Sequence, residues 1–416
     1  AKLERAEVDG VLNQYKWKRF HLQKARTLLA VERRTKFGYD LLKYLVFLGL
    51  LLVAILSQPI HSLFDTHSII TATVLEEVLP GFVFQKTFFE VASVPEMWSF
   101  VEVPLIDGLY GDRLRDNALV GNVQLRQVRV RERTCANSLE LFGGGSCFPS
   151  WSVEQEETAP FGPGGQYMYE ANLGSTLWRS ITFTPNVFGV PLNYGTGGYE
   201  LQLPPNDRGA ATATVQDAIA NDWIGLPTRA FAMSFTLYNR PQDAFTVCRL
   251  LFDVSDTRNI VHTARLRTVR LADLPDVLAV VEQEWIAIVL ALGVLYFVVV
   301  ECKELRDVGV GAYLTSFWNV LEVFQLSAVL VGVRGWQVCC YAVTPLPNVL
   351  AAAACSRSAT SPCTFIDLNA VAWRQQALRN VSALCVVVSL VKTFKFLRLS
   401  ARLNLMWNTL GAAAKD

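Results

Sequence analysis

Three basic residues near the C-terminus, Lys392, Lys395 and Arg398, recur at every third position of an otherwise apolar stretch. On a helix that spacing draws them into one slowly rotating stripe. Charges inside an apolar run are expensive to hold in a bilayer and mark function. One elementary charge moved across a membrane is worth about 2.3 kcal/mol per 100 mV, so such a stripe can sense voltage. The competing reading is that the long side chains reach the cytoplasmic interface and meet lipid phosphates. Lys392 and Lys395 read as sensing charges, whereas Arg398, with Arg402, also suits the interface.

A second group supplies oxygen. Asn319 and Glu322 lie three apart, hence on one helical face, and Glu301 and Glu304 close a neighbouring apolar run. Carboxylate and amide oxygens converging near the inner leaflet suit Ca²⁺, a hard cation. These oxygens are candidate ligands, and Ca²⁺, as a regulatory ion, is the one cofactor expected. The alternative is that Glu322 pairs with a lysine of the stripe, and both arrangements can hold in different states.

Catalytic chemistry finds no set of residues. His21, His61, His67 and His262 are scattered, and neither His-Glu-x-x-His nor Gly-x-Ser-x-Gly occurs. The glycine clusters 143–145 and 162–165 lack the lysine and the following helix of a phosphate loop. The chain reads as a non-enzyme.

The elements that must carry these residues follow from hydropathy. Hydrophobic residues make up 51% of the 416 and charged residues 18%. A bilayer core needs about 20 mostly apolar helical residues. Four runs qualify, at 39–57, 279–300, 317–338 and 378–399. Residues 1–38 hold ten Lys/Arg against four acids, which places this basic segment in the cytoplasm. The first apolar run begins only near Tyr39, so no cleavable leader is expected. Alternation puts 58–278 and 339–377 outside and 301–316 inside. A net charge of +1 gives no field for nucleic acid, which is not expected as a partner. Membrane lipid is.

The cysteines fit this topology. Cys135 and Cys147 share the first outer segment, Cys355 and Cys363 the second, and an extracytoplasmic compartment allows both pairs to oxidise. Cys302, Cys385, Cys339 and Cys340 read as small buried side chains in or near the membrane, and Cys248 as core. The outer segment 58–278 is too long to lack its own fold. Its pattern is mostly β, with a strand in Gln124–Arg131 and a hairpin of Phe231–Leu237 with Phe245–Phe252 across the turn 239–243. Early helices are expected at 63–78 and 84–91.

Short motifs in this order resemble the polycystin family, in its polycystin-2-like branch. They are Leu125-Arg-Gln-Val-Arg-Val-Arg131 before Cys135, Tyr194-Gly-Thr-Gly-Gly-Tyr199, Asn221-Asp-Trp223, Ser234–Asn239 with Cys248-Arg-Leu250, Ser316–Glu322 and Lys392-Thr-Phe-Lys-Phe396. The resemblance implies an α+β membrane protein. A four-helix voltage-sensor-like bundle would carry a large α/β polycystin domain inserted between the first and second spans. It implies a subunit of a non-selective, Ca²⁺-permeable cation channel, tetrameric with itself or other subunits, in a ciliary, flagellar or plasma membrane. It also supports a Ca²⁺ site at Glu301, Asn319 and Glu322, and the sensing lysines. Residues 400–416 would begin the linker to pore helices following Asp416. A polycystin-1-like or extracellular filament partner is compatible with it. The rival is a non-conducting anchor whose ectodomain grips such a partner. The chain departs from the family in its long Ala/Ser-rich second outer loop and in a lone sequon, Asn380-Val-Ser382.

Overall fold

The computed structural model describes residues 22–56, 60–135, 146–174, 176–177, 194–269, 277–341 and 363–397. The elements are α1 (Leu22–Leu56), α2 (Ile60–Ile70), α3 (Val94–Phe100), α4 (Ile106–Tyr110), β1 (Asn117–Arg129), β2 (Arg133–Thr134), β3 (Ser146–Cys147), β4 (Tyr169–Glu170) and β5 (Gly198–Leu203). They continue with α5 (Arg208–Ala220), β6 (Thr228–Asn239), β7 (Ala244–Val254), β8 (Ile260–Val269), α6 (Val277–Val308), α7 (Val310–Leu314), α8 (Phe317–Tyr341) and α9 (Asn369–Leu397). The chain divides into two units: 1–58 with 274–335 and 379–416, and 59–273 with 336–378.

The second unit is built on a six-stranded antiparallel sheet of order β4-β5-β1-β6-β7-β8. Alternation sends Phe231, Met233, Phe235 and Leu237 of β6 to one face, with Leu125 of β1 and Cys248, Leu250 and Phe252 of β7. There they meet Met97, Trp98 and Phe100 of α3 and Ala211, Val215 and Ala218 of α5. Each large side chain so buried contributes about 1.5–3 kcal/mol. The expected hairpin is β6–β7. Its turn closes through Gln242 N–H donating to Asn239 Oδ1 (3.1 Å) and Tyr238 O–H to Asp243 Oδ1 (2.8 Å), with Asp243 at positive φ.

The other face is covered as well. Val120, Val247 and Val269 pack against Ile366, Leu368 and Ala372 from the segment before and within α9. The opening for that segment is a register shift in β1 between Val120 and Gln124. Gly121 sits there at φ +71, where a Cβ would lie 2.8 Å from the Thr364 carbonyl. Asn122 Nδ2 donates to Cys363 O at 2.7 Å, so β1 grips the segment next to its glycine.

Several expectations need amendment. The early helix at 63–78 is present as α2 and a π-helical turn over Thr71–Leu75. The one at 84–91 is only a single turn, Phe88–Glu90, capped by Thr87 and Glu90. The helix begins instead at Val94, because Pro95 has no N–H to give and fits only a first turn. The signals for β5, α5 and β8 went unread. Cys248 and Cys385 are buried as expected, but Cys302 is exposed on α6. Cys339 and Cys340 have side chains outside those described.

In the first unit, the runs 279–300 and 317–338 lie on α6 and α8, and 39–57 lies on α1 as far as Leu56. The run 378–399 lies on α9 as far as Leu397, although that helix already starts at Asn369. Tyr44, Phe47, Leu48 and Leu51 of α1 share one buried cluster with Val294 of α6, Leu326 and Val329 of α8 and Cys385 of α9. The outward faces are apolar too: Leu42, Val46, Leu292, Leu295, Val320, Phe324, Val387 and Leu390 are all exposed. A helix apolar on every side belongs in a core or a bilayer. Among the described residues, one stretch, Asn369–Phe394, is long and apolar enough to cross a membrane on length and composition together.

Candidate functional site

Helical spacing aligns Glu322 with Gln325 on α8, and Ser389 with Lys392 on α9. The two faces meet. Lys392 Nζ lies 2.9 Å from Glu322 Oε1, with the two side chains only 6% and 8% exposed. A buried charge needs a partner, and here each supplies the other's. The ammonium also stands 5.0 Å from the Tyr44 ring centre and 5.7 Å from that of Phe297. Hydrogen bonds fix the helix backbone beside it. Gln325 Nε2 donates to Ser389 Oγ (2.6 Å), Ser389 Oγ to Cys385 O (2.7 Å), and Tyr44 O–H to Ser389 O.

One helix away, Glu301 of α6 accepts from the Tyr313 hydroxyl of α7. Its electrostatic neighbours include the carboxylates of Glu322 and Glu304. Glu322, paired with Lys392, thus has a second carboxylate as a neighbour, and the surplus negative charge suits a proton or a cation. Asn319 is one turn before Glu322, its N–H directed to Ser316 O at 3.2 Å. Among the described residues no contact brings its amide to Glu301.

Of the residues singled out from sequence, the structure thus joins Glu301, Glu322 and Lys392. The Lys395 side chain and all of Arg398 lie outside the described residues. Tyr44, Tyr313, Gln325 and Ser389 were missed. Gln325 and Ser389 carried a usable signal, since each lies three residues from a charge within an apolar run. In the other unit Cys135 and Cys147 are bonded, with Cα atoms 5.1 Å apart. Cys363 is disulfide-bonded too, and Cys355 lies outside the described residues.

A family model described as Polycystin domain matches residues 87–272, which takes in most of the sheet and the helices on its face. A second, Polycystin cation channel, matches residues 280–416, including Glu301, Asn319, Glu322 and Lys392. The chain belongs to the polycystin family. Among its relatives, human Polycystin-2-like protein 1 is 26% identical over 361 residues, 79% of this chain and 41% of that protein. Polycystin-2 of Danio rerio is 26% identical over 359 residues, 79% of this chain and 36% of its own length. Polycystin-2-like protein 2 of Mus musculus is 25% identical over 397 residues, 91% and 60% respectively. The chain thus spans 36–60% of the length of these relatives. The β-rich unit is the polycystin domain, and the paired charges fall in the channel match.

Proposed function

We propose that this polycystin is a cation channel subunit whose first unit senses voltage from within the bilayer. The observation that carries the reading is the buried Lys392–Glu322 pair at 2.9 Å, set among helices whose outward faces are apolar. α1, α6, α8 and α9 would form a voltage-sensor-like bundle, with the polycystin domain outside. Lys392 is the central sensing charge, with Lys395 and Arg398 continuing its stripe. Moving Lys392 inward would break one pair and allow another acid, such as Glu301, to receive it. Ca²⁺ regulation fits the same place. Glu301 and Glu322 offer converging oxygens, and a calcium ion there would compete with Lys392 for Glu322. Asn319 would have to turn its amide inward to join them.

Assembly into a homo- or heterotetramer, Ca²⁺ permeability and a ciliary or plasma-membrane location are proposed from the kinship alone. The channel is preferred over an anchor because an anchor has no use for a charge pair buried among its helices. The test is whole-cell recording from cells expressing the native protein. Lys392→Gln should shift or flatten the voltage dependence of the current, and Glu322→Gln should alter both that and the Ca²⁺ sensitivity. If Glu322→Gln left both unchanged, the proposal would be wrong.

A further inference from the structure

On the face turned away from its main core, the β7–β8 edge of the polycystin-domain sheet gathers three arginines, while Asp253 of β7 and Glu200 of β5 lie further along the same face. Arg249 of β7 stands directly opposite Arg265 of β8, and Arg267 follows on the same face two residues along. Side chains so opposed have Cβ atoms about 4.5–5.5 Å apart, and like charges there destabilise a sheet. Arg249 is only 9% exposed. Its Nη1 donates to Thr176 O at 2.8 Å, but its Nε has no partner among the described residues. Arg267 Nη1 donates to Asn369 Oδ1 at 3.1 Å. Arg265 has no hydrogen bond or ion pair among the described residues. The Thr263 hydroxyl, buried on the same face of β8, also lacks a partner among the described residues.

Compensation from the chain is thin. Burial lowers the pKa of all three guanidiniums; for Arg249 the Asp367 carboxylate opposes this, and the neighbouring Arg265 and Arg267 add to it. Asp367 Oδ1 is engaged by the Asn369 N–H at 2.9 Å. A burial this one-sided is sustained where an external anion completes it.

We propose that Arg249, Arg265 and Arg267, with the Thr263 hydroxyl, form a site for a tetrahedral oxyanion, sulfate or phosphate, on the polycystin domain. Guanidinium forks match the oxygen geometry of such anions. Arg265 and Arg267 are partly exposed, which leaves the site open to solution. The site is independent of the voltage-sensing reading.

The test uses the purified chain in lipid nanodiscs. Its thermal midpoint is followed while sodium sulfate or phosphate replaces sodium chloride at constant ionic strength. A saturable rise is expected. Arg265→Gln should weaken the half-saturating concentration roughly tenfold or more, the loss of about one charge-assisted hydrogen bond. In chloride alone, Arg265→Gln should leave the midpoint unchanged or raise it, because it removes an opposed charge. Arg267→Gln serves as a second variant should the first fail to fold. A sulfated oligosaccharide that saturates at much lower concentration than free sulfate would make a polymer-borne sulfate the source. An equal anion effect in the variants would be general salt stabilisation and would overturn the site. So would a chain indifferent to anions whose Arg265→Gln form changes its oligomeric state, since the arginines would then face a second copy.

Discussion

Neutralising one member of the Glu322–Lys392 pair tests the membrane unit most directly. The pair is 2.9 Å long and over nine-tenths buried at both ends. Removing one partner strands the other charge, which costs about 3–5 kcal/mol in such settings. Lys392→Met also loses two cation–ring contacts, about 0.5–2 kcal/mol in all. Replacing both residues by apolar ones of similar size removes the stranded charge and can be neutral or stabilising. Glu322→Leu and Lys392→Met should therefore each destabilise the protein strongly, while the double variant should recover most of the loss. The assay is the unfolding midpoint of all four proteins in nanodiscs, read as a double-mutant cycle. A coupling of at least about 2 kcal/mol is expected, within the span of 0.5–3 found for contacting residues. Additive losses would show that Lys392 and Glu322 do not depend on each other, and the argument from their pairing would collapse.

Other consequences follow in the polycystin domain. Gly121→Ala should cost about 1–3 kcal/mol, because φ +71 and a carbonyl 2.8 Å from the new Cβ both oppose a side chain; thermal melts of the chain would show it. Opening Cys135–Cys147 by Cys147→Ser should cost about 3 kcal/mol, since the bridge closes a loop of sequence separation 12. Asp207→Ala should cost about 1 kcal/mol, as its carboxylate caps α5 through the Ala210 N–H at 2.9 Å. Glu96 gives a pH test. Burial opposes its ionisation, but the Lys86 ammonium at 2.7 Å and the Ala92 N–H at 2.8 Å outweigh that and hold its pKa below the usual carboxylate range. A depressed pKa stabilises fully above the unfolded value, near 4.3, and its contribution fades as pH falls through the folded value. Glu96→Gln should therefore lower the midpoint at neutral pH and shallow its decline below about pH 4; an unchanged acid limb would refute the assignment.

Legibility from sequence followed the strength of local pattern. The β6–β7 hairpin was readable because Phe231, Met233, Phe235 and Leu237 alternate up to a proline-bearing turn. β8 was not, since Arg265 and Arg267 alternate with Ala264 and Leu266 on a strand that leaves one face half open. The strand reads as polar until the arginines are seen against β7. Residues 84–91 looked helical on composition, and Pro95 moved the helix start downstream. In the other unit the charges announced Lys392 and Glu322. Their pairing was one of two readings, because helical spacing orders residues along one helix and says nothing of which helix lies opposite. Tyr44 illustrates the same limit. It is an ordinary aromatic in an apolar run, and its place under the Lys392 ammonium depends wholly on packing between helices.

Both candidate sites rest on one physical requirement, that a charge removed from water must be compensated, and they meet it in opposite ways. Lys392 is compensated within the chain, by an acid on a neighbouring helix, with Glu301 an electrostatic neighbour of that acid. On the proposed reading Lys392 would exchange Glu322 for a second acid as the field moves it, which is what a voltage sensor needs. Arg249 has no equivalent choice. Its neighbours across the ladder are Arg265 and, on β6, Ser234, and its Nε has no partner among the described residues. A rigid antiparallel ladder cannot slide Arg249 to a new partner without flipping alternate side chains to the other face. On the two proposals, compensation there arrives from outside, so the polycystin domain should answer to the composition of the solution and the membrane unit to the field.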